Sequence, residues 1–191
     1  QVLEEREFPI ENLYLFSSEK SAGTEIIFRG NRYKVEALNE ESFKRYIDIA
    51  LFSAGGEVSK KFAPIARDNG VIVVDNSSAW RMNDDVPLVV PEINGEDVKK
   101  NKGIISNPNC STIITLVAVN AINQLSKIKG MVASTYQATS GAGAGGPVEL
   151  RNQMSALLNG GEIKNEVFVH QIAENVIPHI GGFLDNGFTA E

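Results

Sequence analysis

The sequence predicts an α/β fold built on a doubly wound parallel sheet, and three observations carry that reading. Residues 13–16, 47–52, 71–75 and 103–106 are runs of apolar, largely β-branched or aromatic residues with little polar alternation, as expected of strands covered on both faces. Helical patterns at 57–68 and 111–125 lie between and after them. The succession is the strand, helix, strand rhythm of a parallel sheet.

Taken in order, Gln1-Val2-Leu3-Glu4-Glu5-Arg6 reads as the end of a helix already under way, closed by Pro9, so a preceding segment is expected. Leu13-Tyr14-Leu15-Phe16 is a strand. Residues 24–28 and 32–37 form a β excursion around the turn Gly30-Asn31. The strand at 47–52 ends in the loop Ser53-Ala54-Gly55-Gly56. Val58, Phe62, Ile65 and Ala66 then keep near-helical spacing despite Pro64, and Asn69-Gly70 stops that helix. After the strands at 71–75 and 103–106, residues 111–125 are apolar nearly all round (Ile113, Ile114, Leu116, Val117, Val119, Ile122), the pattern of a buried helix. A further strand is expected at 131–137 and a helix at 147–158. Residues 185–188 read as a turn, with Thr189 as the N-cap of a new helix.

The composition is that of an ordinary globular protein. With 191 residues, 42% of them hydrophobic, the chain can bury the core of one domain or one and a part. A net charge of -6 without a Lys/Arg run points away from nucleic acid and anionic membranes, and towards small-molecule partners. The single cysteine rules out an intramolecular disulfide. No apolar run approaches the roughly 18 residues of a membrane span, and no signal-peptide pattern is present. A cytoplasmic enzyme or binding domain is the default expectation, and no metal site is predicted.

The cysteine lies in Ile105-Ser106-Asn107-Pro108-Asn109-Cys110-Ser111-Thr112-Ile113-Ile114. Pro108 removes a ladder donor and favours an extended Asn107, so the strand ends there and the helix begins near Ser111. Cys110 is therefore expected at a helix N-terminus, where unpaired N–H groups and the helix dipole stabilise a thiolate and any oxyanion formed beside it. A small buried hydrophobe is the other reading of a lone cysteine. The strand-to-helix turn on the carboxyl side of a parallel sheet favours the nucleophile.

Other residues point to ligands. In a dinucleotide fold an acidic residue ending the second strand grips the ribose of NAD, and a basic one accommodates the extra phosphate of NADP. Here that position is Ser17-Ser18-Glu19-Lys20-Ser21, in which Ser18, Lys20 and Ser21 suit a phosphate and Glu19 leaves NAD open. Arg81, on the loop Asp75-Asn76-Ser77-Ser78-Ala79-Trp80-Arg81, would share a sheet edge with Cys110 and could bind an anion there; a solvated arginine is the alternative. Gly141, Gly143 and Gly146 spell a literal G-x-G-x-x-G. It follows the strand–helix units instead of opening them, so it reads better as a loop allowing close backbone approach to a ligand. His170 and His179 are the only histidines, and a Cys/His pair commonly activates sulfur, but both lie in a poorly patterned region.

The segments SSEKSAG, LFSAGG, VVDNSSAWR, VPLVVPEIN, SNPNCSTI, STYQATSGAGAGG and NVIPHIGGFLDNGFTAE, in this order, resemble the aspartate-β-semialdehyde dehydrogenase family over nearly the whole chain. The resemblance implies a Rossmann-like NADP-binding domain at 1–109 and an α+β catalytic and dimerisation domain at 110–191, both incomplete. It also implies a homodimer or homotetramer acting on aspartyl phosphate, aspartate semialdehyde and phosphate in aspartate-family amino-acid biosynthesis. Carried over by motif, Cys110 is the thioester nucleophile and Gln137 orients the substrate. Arg81 and Asn109 hold phosphate, while Ser18, Lys20, Ser21, Asn76, Ser140 and Gly141 contact NADP. The family's opening strand and GATGAVG-type loop have no counterpart here. The same is true of its base histidine, substrate-binding glutamate and arginine, and phosphate-binding lysine, so His170 and His179 do not inherit the base role. An internal piece of the enzyme is expected, binding NADP weakly and turning nothing over. Two alternatives stay open: an inactive folded fragment that self-associates through surfaces normally covered, and a related thioester-forming reductase such as malonyl-CoA reductase.

Overall fold

In the computed structural model, which describes residues 1–189, the chain opens on one helical turn, α1 (Val2–Glu5), which ends before Pro9. Strand β1 (Leu15–Ser17) follows, then the hairpin of β2 (Glu25–Phe28) and β3 (Asn31–Ala37). β3 is the middle strand, parallel to β1 and antiparallel to β2. The hairpin closes on Arg29-Gly30, one residue earlier than the sequence suggests, because Phe28 pairs with Asn31. A two-residue hairpin of type I′ needs positive φ at both central positions. Gly30 adopts φ 76° without steric cost, and Arg29 is held at φ 48° by two contacts with the start of the chain. Its backbone N–H donates to the Glu4 carboxylate, and its guanidinium donates to the Phe8 carbonyl.

The second sheet is wholly parallel, in the order β4 (Ile49–Phe52), β5 (Ile72–Asp75), β6 (Ile104–Ser106). Residues 87–89 run beside β6, with Val89 N–H donating to the Ser106 carbonyl at 2.8 Å and Ser106 N–H to that of Pro87 at 3.0 Å. Between β4 and β5 lies α2 (Gly56–Asp68), which keeps Pro64 inside it and buries Ser59, Phe62, Ala63 and Ala66. Phe62, Ala63 and Ala66 meet Val71, Val73, Ile104 and Phe43 in one apolar cluster. Phe43 comes from the 3₁₀ turn Glu40–Phe43 and stacks on Phe52 at 5.9 Å between ring centroids. The cluster covers one face of the sheet; on β4, Ile49 and Leu51 are 52% and 66% exposed, so the expected cover on both faces is not provided there by the described residues.

After the single turn α3 (Pro91–Asn94) and the 3₁₀ segment Gly95–Lys100, β6 leads into α4 (Cys110–Leu125). α4 corrects an expectation: none of its residues is buried, with Ile114 71% and Leu125 91% exposed. All-round apolar composition reports a surface that favours cover, but the cover must come from neighbouring elements, and the described residues do not provide it. A second correction concerns 131–137, which is not a strand; Val132 there is 98% exposed. A strand's N–H and C=O groups need a partner ladder, and no strand pairs with this segment among the described residues.

The chain forms two compact units, Gln1–Gly130 and Met131–Glu191. The second holds the 3₁₀ turn Thr139–Ala142 and α5 (Gly145–Asn159), whose end is marked by Gly160 in the left-handed conformation. Pro147 sits in the first turn of α5, where its missing N–H costs no helical bond. The helix expected after Thr189 would begin outside the described residues.

Two side chains of α5 organise the segment that follows. The buried Glu149 carboxylate accepts from the backbone N–H groups of Glu166 (2.8 Å), Val167 and Phe168 (3.3 Å). One turn on, Gln153 Oε1 accepts from Ile172 N–H (2.9 Å) and Ala173 N–H (3.1 Å), while Nε2 donates to the Lys164 carbonyl at 2.9 Å. Burial pushes the Glu149 carboxyl up, but the three backbone donors outweigh it and hold the group below the usual carboxylate range. Its contribution to stability is therefore complete above the unfolded-state value of about 4.3 and lost as pH falls through the lower folded value. Hydrogen-exchange protection at residues 166–168 should drop on acidification below about pH 4.3. Glu149→Gln should weaken that protection at neutral pH and remove the acid step; an unchanged acid profile in the variant would assign the step elsewhere.

Candidate active site

At the carboxyl edge of the β4–β5–β6 sheet the backbone ladder runs one step past each strand. Asn76 N–H donates to the Phe52 carbonyl at 2.8 Å, and Asn107 N–H to that of Asp75 at 3.2 Å. This sets Ser53, Asn76 and Asn107 side by side, and their side chains join. Asn107 Nδ2 donates to Asn76 Oδ1 at 2.8 Å, and Asn76 Nδ2 to Ser53 Oγ at 3.4 Å. Arg81 comes to the same row: Nε–H donates to the Asn107 carbonyl (3.0 Å) and Nη2–H to that of Asn76 (3.3 Å). None of the ion pairs among the described residues involves Arg81. Its positive charge is held by carbonyls and not cancelled by a carboxylate, which suits it to an anion. The loop that carries it starts from the fully buried Asp75, whose Oδ2 accepts from Ser77 Oγ–H at 2.7 Å.

Three residues beyond Asn107, Cys110 is the first residue of the 16-residue α4, one position earlier than the sequence suggests. Asn109 is the N-cap, its Oδ1 accepting from Ser111 N–H at 2.8 Å and Thr112 N–H at 3.4 Å. Cys110 is exposed, and no other residue of α4 is buried among the described residues. A thiol here meets the positive end of a long helix dipole.

The turn after β1 carries the other anion-binding candidates of the first unit. Ser21 and Ala22 N–H both donate to the Ser18 carbonyl, at 3.0 and 3.1 Å, so residues 18–21 curl into one tight turn. Ser18, Lys20 and Ser21 are exposed, as is Glu19. Two hydroxyls and an ammonium on one turn have the donor chemistry a phosphate requires.

In the second unit Gln137, Ser140 and Gly141 belong to one loop. The Gln137 side chain lies against Gly141, where an added Cβ would come 2.1 Å from Nε2. Gly146 is pressed against the backbone, and its Cβ would stand 2.0 Å from the Thr139 carbonyl oxygen. Both end glycines of the G-x-G-x-x-G thus serve close packing within this loop and at the start of α5. His170 and His179 lie edge to face at 6.3 Å between ring centroids, with His179 4.8 Å from Phe183. Among the described residues no group of three or more His, Cys, Asp or Glu could hold a metal ion, and no helix is long and apolar enough to cross a membrane.

Sequence reading gave no part to Ser53 and Asn107, which complete the row at the sheet edge, nor to Ser59, whose hydroxyl accepts from Trp80 Nε1–H at 2.9 Å. The position of Ser53 and Asn107 immediately after apolar strands was an available signal. Ser59 offered none.

Residues 1–101 match the semialdehyde dehydrogenase NAD binding domain, and residues 119–191 the semialdehyde dehydrogenase dimerisation domain. The aspartate-semialdehyde dehydrogenase of Aquifex aeolicus is 55% identical over 194 residues, covering all of this chain and 57% of that protein. That of Bacillus subtilis is 46% identical over 198 residues, again with 100% and 57% covered. The solved structure of aspartate semialdehyde dehydrogenase II from Vibrio cholerae, complexed with ASA, superposes with a TM-score of 0.94 at 47% identity, covering 99% of this chain and 56% of that one. The chain thus spans a little over half the length of these relatives. A Rossmann-type NAD(P)-binding domain is followed by a dimerisation domain, and relatives 55% and 46% identical cover the whole of the chain: the chain belongs to the aspartate-semialdehyde dehydrogenase family.

Proposed function

We propose that the protein containing this chain reduces L-4-aspartyl phosphate to L-aspartate 4-semialdehyde through a thioester on Cys110, with NADP as cofactor. The observation that carries the proposal is the exposed thiol at the N-terminus of α4, beside the sheet edge that holds Arg81. In the first step the Cys110 thiolate attacks the acyl carbon, a C–S bond forms, and the C–O bond to phosphate breaks. Negative charge developing on the carbonyl oxygen is met by the positive end of the α4 dipole. The departing phosphate is held by Arg81 and Asn109, while Gln137 orients the substrate. When bound, the reduced cofactor supplies the hydride that converts the thioester to the aldehyde and releases the thiolate. The family match supports a place in aspartate-family amino-acid biosynthesis, and the dimerisation domain supports a homodimer or homotetramer. A cytoplasmic location is part of the same proposal.

NADP is favoured over NAD by the turn at 18–21, where Ser18, Lys20 and Ser21 would hold the adenosine-side phosphate. Asn76, Ser140 and Gly141 would contact the rest of the cofactor. In the full-length protein, Lys20→Ala should weaken NADP about tenfold or more, the scale of one charge-assisted hydrogen bond, and leave NAD nearly unchanged. Equal losses in titrations of the two would remove Lys20 from the phosphate. The reaction itself is tested by adding aspartate semialdehyde, phosphate and NADP to the full-length protein and following the NADPH absorbance band. Phosphate-dependent reduction is expected. Turnover of malonyl-CoA with none of the semialdehyde would favour the malonyl-CoA reductase reading.

A further inference from the structure

Ser59 is 1% exposed on the face of α2 that otherwise presents Phe62, Ala63 and Ala66 to the core. A hydroxyl in such a place needs a partner, and it has one from outside the helix: Trp80 Nε1–H, donating at 2.9 Å. Trp80 ends a six-residue loop segment whose other end is also tied. Ser77 Oγ–H donates to the buried Asp75 carboxylate, and Ala79 N–H donates to Ser77 Oγ at 3.2 Å. The next residue after the Ser59 anchor is Arg81, with its guanidinium on the Asn107 and Asn76 carbonyls.

An arginine bound to an anion keeps few rotamers, and a guanidinium already held in place loses less freedom on binding. We propose that Ser59 is a positioning residue for Arg81: through the Trp80 indole it fixes the backbone from which the guanidinium reaches the carboxyl edge of the sheet. That the ligand there is a phosphate rests on the function proposed above; the positioning itself does not. Ser59 is not part of the binding machinery, and Ser59→Ala removes one oxygen and suits a helix interior.

The test uses the ¹⁵N-labelled chain, Ser59→Ala, Trp80→Phe and the double variant. Hydrogen exchange at Arg81 Nε–H reports positioning, inorganic phosphate titrated into the same samples reports affinity, and thermal unfolding is recorded separately. Each single variant should speed Arg81 Nε–H exchange and raise the phosphate Kd about fivefold, as loss of one hydrogen bond does. The double variant should be no worse than either, because both substitutions break the same bond. If Ser59→Ala fails to fold, Trp80→Phe alone reads the same bond. Unchanged Arg81 Nε–H exchange in the single variants, or effects that add in the double, would overturn the inference even where the wild type binds phosphate. Faster exchange in the variants of a wild-type chain that binds no phosphate would sustain the positioning role and overturn the phosphate reading instead.

Discussion

Cys110→Ala in the full-length protein is expected to lower turnover by a factor on the order of 10⁴ or more, the scale of removing a covalent nucleophile. Binding of NADP should change by less than about twofold, as for an ordinary exposed substitution. The contrast follows from how the start of α4 is built. Asn109 Oδ1 caps the helix through the backbone N–H groups of Ser111 and Thr112, and a substitution at residue 110 leaves these three groups in place. Alanine is a good helix former, so the helix and its dipole are expected to persist while the nucleophile is gone. Steady-state reduction of NADP, set beside a fluorescence titration of the dinucleotide, measures both quantities. Turnover that persists would mean that no thioester forms on Cys110.

Gly146→Ala is expected to destabilise the chain by about 3 kcal/mol, lowering the melting temperature of the second unit by roughly 10 °C or more. Helix propensity argues the other way, since Ala exceeds Gly by about 1 kcal/mol in a helix. The steric term wins because the atom in the way is the carbonyl oxygen of Thr139, 2.0 Å from the new Cβ, and a backbone atom moves only with its whole turn. Gly141→Ala is the control. Its Cβ meets the end of the Gln137 side chain, which can rotate aside, so stability should hold while the amide of Gln137 is displaced. Thermal unfolding of the two variants followed by circular dichroism separates the cases; equal stability would show that the 139–146 turn is looser than its packing implies.

What could be read from the sequence was what depends on local order. β4, β5 and β6 were visible because parallel strands are unbroken apolar runs even where, as at Ile49 and Leu51 of β4, one face is left open, and Cys110 could be placed at a helix start because Pro108 and Asn109 punctuate the chain there. The hairpin was found one residue out of register, since which of Arg29 and Asn31 takes the positive φ was decided by distant contacts with Glu4 and Phe8. The pattern of α4 announced a surface that favours cover without saying what would cover it. The expected strand at 131–137 had the right residues and lacked a ladder. At the site, Ser59 and Trp80 are 21 positions apart and carry no periodic mark, so only the fold brings them together. The same holds for Glu149 and its donors, 17 to 19 positions away.

That last arrangement also dictates an order of events in time. Residues 166, 167, 168, 172 and 173 have backbone donors satisfied by two side chains one turn apart on α5, not by a ladder of their own. Glu149 and Gln153 stand on one face only after the helix exists. A helix of this length forms in about a microsecond or less, and a loop closes in tens of nanoseconds. Dependence and not speed sets the order: α5 has to be helical over 149–153 before the irregular segment can be cast against it. Unfolding runs in reverse, with the cast segment released before the helix that shaped it begins to unwind.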